Sequence, residues 1–157
     1  MNAATILVLL DDLLDSAVAE LTSPPARRFV AHGAFAHDCE LVASRLVEWS
    51  LAPVDQRAPF PVINEITLSV TVIRCYPRAA GDEPVPDAAD LTSASNDLAE
   101  DLAELTEGLS TRWAADTLFP SLSPDTMVGA QVGWIGARSV GPEGGFAGWE
   151  CSVVIRA

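Results

Sequence analysis

Basic residues are scarce in this sequence. Lysines and arginines number 9 against 22 aspartates and glutamates, which gives a formal charge of −13 at pH 7. Grooves that bind nucleic acid depend on clusters of basic side chains, so this balance argues against a nucleic-acid-binding surface. It argues in the same way against an anionic membrane surface. An acidic surface favours solubility and repels DNA.

Cysteine is also scarce, and its spacing is uninformative for metal binding. Cys39, Cys75 and Cys151 are odd in number, lie far apart, and form no CxxC pair. A structural zinc site usually has closely spaced cysteines, and a disulfide framework usually has an even number of them. The sequence therefore predicts three reduced thiols, some of them packed in the core.

The apolar N-terminal segment lacks the features of a targeting signal. Residues 1–21 carry no basic n-region, and Asp11, Asp12 and Asp15 interrupt the apolar run. Signal peptides and membrane spans do not contain such acids. We therefore expect the protein to be in a cytoplasm at synthesis.

Recognisable catalytic motifs are missing as well. No serine lies in a GxSxG context, and the glycine-rich segment GPEGGFAG at residues 141–148 lacks the lysine and the strand–loop–helix setting of a phosphate-binding loop. A hairpin turn is the preferred interpretation of that segment.

One loop holds the densest group of potential ligands, namely His32, His37, Asp38 and Cys39. Their spacing matches no zinc pattern, and no further ligand or base accompanies them. We predict that they are structural or partner-facing, and that the chain has no catalytic, metal-binding or cofactor-binding residue. The alternative is a small-molecule-binding or enzymatic α+β domain with its site in the 32–39 loop.

The clearest positive signal is the segment NEITLSVTVIRCY at residues 64–76. Apolar Ile66, Leu68, Val70 and Val72 alternate with polar residues, which predicts a long strand with one buried face. The polar face is free to meet water or a partner. The remaining elements are expected to pair with this strand and to cover its apolar face.

Two amphipathic helices are predicted, one over residues 6–21 and one over residues 91–109. The second carries an acidic outer face formed by Asp97, Glu100, Asp101, Glu104 and Glu107. Most acidic helix faces are solvated, and a partner-facing role is the alternative. Proline-rich segments at residues 52–61 and 77–90 are interpreted as loops.

Three further strands complete the expected sheet. Residues 39–51 fit a strand, with a helix as the competing interpretation. Residues 126–137 and 146–155 form a hairpin, and glycines in its first strand indicate bulges or close backbone approach. Residues 27–30 are expected to be a short extended piece. The prediction is a single domain over residues 1–157 of α+β class: a four-stranded, mainly antiparallel sheet with two helices on one face, in the order α-β-β-α-β-β.

The chain resembles a family of small connection proteins in phages. The resemblance covers residues 27–155: RRFVAHGAFAHDCELV, then a valine-rich strand, a YPR, an acidic helix and a hairpin that contains GPEGGFAGW. These features are similar to the tail terminators of long-tailed phages that infect actinobacteria. The neighbouring head-to-tail stopper is an alternative, and so is an adaptor or antitoxin-like interaction protein.

The resemblance implies a structural virion protein with no catalytic residue and no cofactor. Its partners would be copies of itself in a ring, commonly six, together with the tail tube protein and the head connector. DNA would pass through the lumen without specific binding, and acids such as Glu100, Glu104 and Glu107 are candidates for the channel wall. We expect subunit contacts from the loop at residues 77–90 and the hairpin tip at residues 141–148.

Overall fold

The computed structural model describes residues 3–31, 34–35, 39–53, 62–77, 85–122, 130–143 and 145–157. They form two helices and five strands. In chain order these are α1 (Ala3–Glu20), β1 (Arg27–Ala31), β2 (Leu41–Pro53), β3 (Val62–Cys75), α2 (Ala88–Ala114), β4 (Gln131–Glu143) and β5 (Phe146–Arg156). The α+β class and the two helices agree with the prediction.

The five strands form one mixed sheet in the order β1-β2-β3-β5-β4. β1 runs parallel to the first residues of β2, from Leu41 to Arg45, and all other neighbours are antiparallel. The predicted four-stranded sheet is therefore wrong in its strand count and order. Residues 27–30 were expected to be only a short extended piece, whereas Arg27–Ala31 forms β1 of the sheet.

β3 lies at the centre of the sheet, and its apolar row faces both helices. Ile66, Leu68, Val70 and Val72 are fully buried in a core that also includes side chains of α1, α2 and β5. Each fully buried aliphatic side chain of this size contributes about 1.5–3 kcal/mol relative to exposure. Both helices therefore cover the same face, as predicted, which we call the helix side. The opposite face is the open side.

The polar row of β3 is more buried than its sequence predicts. Ser69 and Thr71 have almost no exposed surface. Arg45 and Ser152 flank Ser69 on the neighbouring strands, and Glu150 lies beside Thr71. Longer side chains on both neighbouring strands therefore exclude water from the centre of the open side.

α1 is buried on more than one flank. Its apolar residues face the sheet, while Asp12 and Ser16 are also buried. Asp12 Oδ2 accepts a hydrogen bond from the backbone N–H of Ser121 at 2.9 Å, and Ser16 Oγ donates to the carbonyl of Leu118 at 3.2 Å. The segment that follows α2 therefore packs on α1, and Asp12 binds its backbone.

α2 begins where Asp87 caps it, since the Asp87 side chain accepts a hydrogen bond from the Asp90 N–H. The predicted loop at residues 77–90 therefore ends earlier than expected. Leu105 and Leu109 reach the core. The mid-helix Gly108 is buried against Glu20 of α1, and a Cβ there would overlap that side chain. Gly108 thus permits the two helices to approach each other.

The structure settles the type of the second strand segment and the length of the hairpin turn. Residues 41–53 are a strand, which confirms the preferred interpretation of the 39–51 segment. The hairpin turn is shorter than predicted, because β4 reaches Glu143 and β5 starts at Phe146. Gly148 belongs both to the glycine-rich segment 141–148 and to the predicted strand 146–155, and it lies inside β5, where a Cβ would overlap the Val72 carbonyl oxygen. The predicted bulge in β4 is present between Trp134 and Gly136.

Candidate assembly surface

The predicted ligand loop is only partly within the described residues. His32, His37 and Asp38 lie outside them, whereas Cys39 is described and forms a disulfide with Cys75, with a Cα–Cα distance of 4.5 Å. The prediction of three reduced thiols is therefore wrong. The bond lies between residues 36 positions apart in sequence, so only the pairing of β2 with β3 brings them together.

Cys151 is the free cysteine of the described chain, and it is buried in the helix-side core. Burial raises the pKa of its thiol to about 12, with a further contribution from the charge of Glu150. A thiol with so high a pKa is scarcely ionised at neutral pH and is a poor nucleophile. Its place in the core is that of a small apolar side chain.

The described residues show neither of two other kinds of site. No group of three His, Cys, Asp or Glu side chains in those ranges converges in a way that suits a metal ion. Neither described helix has the length and apolar character needed to cross a membrane.

Charge is divided unequally between the helices and the sheet. α1 holds four acids and no base, and α2 holds six acids and one arginine, so the helices together carry a formal charge of −9. The strands hold six arginines and four glutamates, a formal charge of +2. Most of the acidic character of the chain therefore belongs to the helix side.

One acid of α2 is part of the core structure and not of the acidic surface. Asp101 is buried and binds Arg74 of β3 through both carboxylate oxygens, at 2.8 and 2.7 Å. The Asp101 hydrogen bond is the main cause of the raised pKa of Arg74, and burial opposes it. Arg74 also donates to the Ser23 carbonyl and to Glu40. The predicted placement of Asp101 on the outer face is therefore wrong.

Glu104, another predicted surface acid, also has a partner. It accepts hydrogen bonds from the N–H and the hydroxyl of Thr22, which lower the pKa of its carboxyl. Glu100 and Glu107 are exposed on α2. Of the three candidates for an acidic wall, these two have the more accessible side chains.

The open side of the sheet carries a charged cluster with members on β2, β5 and β4. Glu150 of β5 is buried and accepts hydrogen bonds from Arg45 of β2 at 2.8 Å and from Arg138 of β4 at 2.9 and 2.6 Å. Burial would raise the pKa of Glu150, but the hydrogen bonds from Arg45 and Arg138 outweigh it, and the net pKa is lowered. Arg138 remains largely exposed.

The first edge of the sheet is the outer half of β2. β1 pairs only as far as Arg45, and no described strand lies beside residues 46–53 on that side. Three large apolar side chains are exposed along this stretch, namely Val47, Trp49 and Leu51, of which Leu51 is 69% exposed. An unpaired edge with exposed apolar side chains is a common site of strand addition.

The backbone direction at this edge follows from one pair of hydrogen bonds. Asn64 and Ala157 exchange two backbone hydrogen bonds, so the N–H and C=O of Asn64 point toward β5. Backbone groups alternate along a strand, so those of the next residue, Glu65, point toward β2. The partner of Glu65 is Ser50. Trp49 and Leu51, on either side of Ser50, therefore direct their N–H and C=O groups away from the sheet.

The second edge is β4, which among the described strands pairs with β5 alone. By the same alternation, the backbone N–H and C=O groups of Glu150 and of its partner Arg138 point toward each other. The backbone groups of Ala137 and Ser139, on either side of Arg138, therefore point outward. The Val132 carbonyl also points outward and accepts a hydrogen bond from Trp113 Nε1 at 2.8 Å. Trp113 thus covers one end of the edge, and Ile135 at the bulge is exposed.

Sequence reasoning did not anticipate either edge as a binding surface. The projecting segments it chose were the loop at residues 77–90 and the tip at residues 141–148, yet Gly148 is buried within the sheet. The sequence did contain a sign of the β2 edge, because apolar residues occur at both even and odd positions of the strand from Leu46 to Leu51. Comparisons with known proteins add no identification, because no family model and no curated protein matches the chain.

Proposed function

We propose that this protein is a structural subunit of a closed homo-oligomeric ring that caps the tail tube of a long-tailed phage. The observation that carries the proposal is the pair of unlike unpaired edges, β2 beyond Arg45 on one side of the sheet and β4 on the other. A contact between unlike surfaces uses both edges of every copy, and it closes into a ring when the rotation between copies divides a full turn.

The resemblance to tail terminators supports the place of this ring, and the charge distribution supports its role. Helices that carry a formal charge of −9 would repel the phosphates of passing DNA if they line the channel. Glu100 and Glu107 have the exposed side chains for such a wall. In this proposal the partners are further copies of the chain, commonly six per ring, the tube protein and the head connector. The protein has a structural role and no enzymatic one.

The direct test is electron microscopy of the purified protein mixed with its tube protein, followed by a reconstruction of assembled tails. We expect a ring of this chain at the head-proximal end of the tube, with an acidic lumen. Density for the chain inside the capsid, or as isolated monomers along the tube, would contradict the ring. A ring between the terminator and the connector would identify the protein as a head-to-tail stopper instead.

A further inference from the structure

An apolar pocket lies on the helix side at the margin of the sheet next to β4. Its volume is about 330 Å³, and it is lined by Leu98 and Leu102 of α2, Trp149 of β5, and Ser139 and Pro142 of β4. Trp149 Nε1 donates to the Leu98 carbonyl at 2.7 Å, which fixes the indole as one wall. Leu98, Leu102 and Trp149 are only half-buried, because this pocket adjoins them.

The outer half of β2 has apolar side chains on the matching side. Trp49 pairs with Ile66, a residue of the helix-side core, so Trp49 and Leu51 both leave the strand on the helix side. Glu48 leaves on the open side, because its partner Thr67 belongs to the polar row. Glu48 is exposed, and no described residue forms an ion pair with it.

The β4 edge offers the complementary arrangement. The pocket lies on its helix side, and the exposed guanidinium of Arg138 lies on its open side next to Glu150. If the sheets of two copies join edge to edge with their helices on the same side, apolar groups meet the pocket and Glu48 meets Arg138. If the helices of the two copies lay on opposite sides of the joined sheet, the apolar Leu51 would lie beside Arg138 and Glu48 would not. The ion pair between Glu48 and Arg138 therefore favours the arrangement with the helices on the same side.

We propose that residues 48–51 of a second copy of this chain add to β4 as a strand and insert an apolar side chain, Trp49 or Leu51, into the pocket. Outward backbone groups of Trp49 and Leu51 then pair with those of Ala137 and Ser139, and Glu48 forms an ion pair with Arg138 of the other copy. The inference rests on the proposed function only in requiring a second copy, and it assigns the subunit contact to these two edges.

Cross-linking between two variants, each with one added cysteine, tests the contact. Leu51→Cys and Ser139→Cys are each exposed, while the native cysteines are held in the Cys39–Cys75 disulfide or buried. Mixing the two variants with a short bismaleimide should give a linked dimer on a denaturing gel, and neither variant alone should do so. Ala19→Cys, which is exposed on α1 and lies outside both edges, is the control partner for Ser139→Cys and should not link.

If the mixture gave no more cross-linked dimer than the control, the inference would be overturned. Linking of Leu51→Cys with itself would also overturn it, because that result indicates a symmetric contact between like edges. The position of the link along β4, mapped by mass spectrometry, gives the register of the added strand.

Self-association provides the second test. Leu51→Glu places a charge beside the apolar pocket whether Trp49 or Leu51 fills it, so sedimentation should show association weakened by more than about tenfold. Ala19→Glu, at an exposed position of α1 outside both edges, is the control and should associate as the wild type does, and both variants should keep the wild-type melting temperature because both positions are exposed. Undiminished association of Leu51→Glu would refute the contact and leave the ring proposal standing. A wild type that stays monomeric and absent from tail ends would refute both.

Discussion

The two faces of the sheet are stabilised by different kinds of interaction. The helix side is a continuous apolar core in which Leu68 and Val70 of β3 pack against both helices, with the buried ion pair Arg74–Asp101 at its margin. The open side has a small apolar group around Leu41 and Ile73 and the ion-paired Glu150. The Cys39–Cys75 disulfide belongs to this side too, since Cys75 lies two residues beyond Ile73 on β3.

This difference shows that one alternating strand can be buried on both faces by different means. Apolar burial on the helix side depends little on pH or redox conditions. Ion pairs and a disulfide on the open side depend on both. Perturbations directed at one face should therefore leave a recognisable signature, and the following predictions use it. All refer to protein concentrations at which sedimentation shows monomers.

The largest effect is expected from a deletion in the helix-side core. Leu105→Ala removes a fully buried side chain from between α2 and the sheet, and should lower the free energy of unfolding by about 2–5 kcal/mol. Chemical denaturation measures it. Leu51→Ala is the matched control, because this leucine is largely exposed and its loss should cost less than about 0.5 kcal/mol in the monomer. Equal losses at both positions would mean that the core is wrongly assigned.

Removal of the disulfide tests the open side. Replacing Cys39 and Cys75 with serine opens the covalent loop and should cost about 2–4 kcal/mol of unfolding free energy. A reductant should destabilise the wild type by a similar amount and leave the double variant unchanged. If the wild type is insensitive to reductant, the two cysteines are not bonded in the folded protein.

A smaller loss is expected when the central carboxylate of the charged cluster is neutralised. Glu150→Gln leaves Arg45 partly buried without its counter-ion, and should cost about 1–3 kcal/mol. Arg138→Gln is the comparison, because an arginine that is mostly exposed contributes under about 1 kcal/mol. Thermal melts of the two variants should rank them in that order, and the reverse order would place the energetic centre of the cluster at Arg138.

The pH dependence of stability should be the mildest signature. Because the pKa of Glu150 is lowered in the folded protein, its stabilising contribution is complete above its usual pKa of 4.5 and is lost as the pH falls through the folded-state value. Wild-type melting temperature should therefore fall more steeply below pH 4.5 than that of Glu150→Gln. If the melting temperatures of the two proteins fell in parallel with pH, the pKa of Glu150 would be the same in the folded and the unfolded protein.

The sequence predicted the elements that bury one regular row of apolar residues. β3 alternates strictly, and the helices repeat apolar residues at spacings of three and four, so each could be identified from its own residues. β1 could not, because its place in the sheet depends on parallel pairing with β2 across an intervening loop.

Interactions between distant residues account for the other errors. The position of Asp101 on α2 follows from helical spacing, but its burial depends on Arg74, 27 residues away on β3. Asp12 is buried because a segment 109 residues later supplies an N–H. The partner of Cys39 is likewise set by strand register. The two edges escaped prediction because an edge is defined by the strand that is missing beside it.

The division of charge between the layers also gives the assembly of helices and strands an electric dipole along the normal of the sheet. The negative end lies at the helices, with a formal charge of −9, and the strands carry +2. A positively charged support, such as an anion-exchange resin or a polylysine-coated microscopy grid, should attract the helices and leave the open side turned toward the solution. Single particles on such a grid should therefore show a preferred orientation, and particles on a negatively charged grid should not share it.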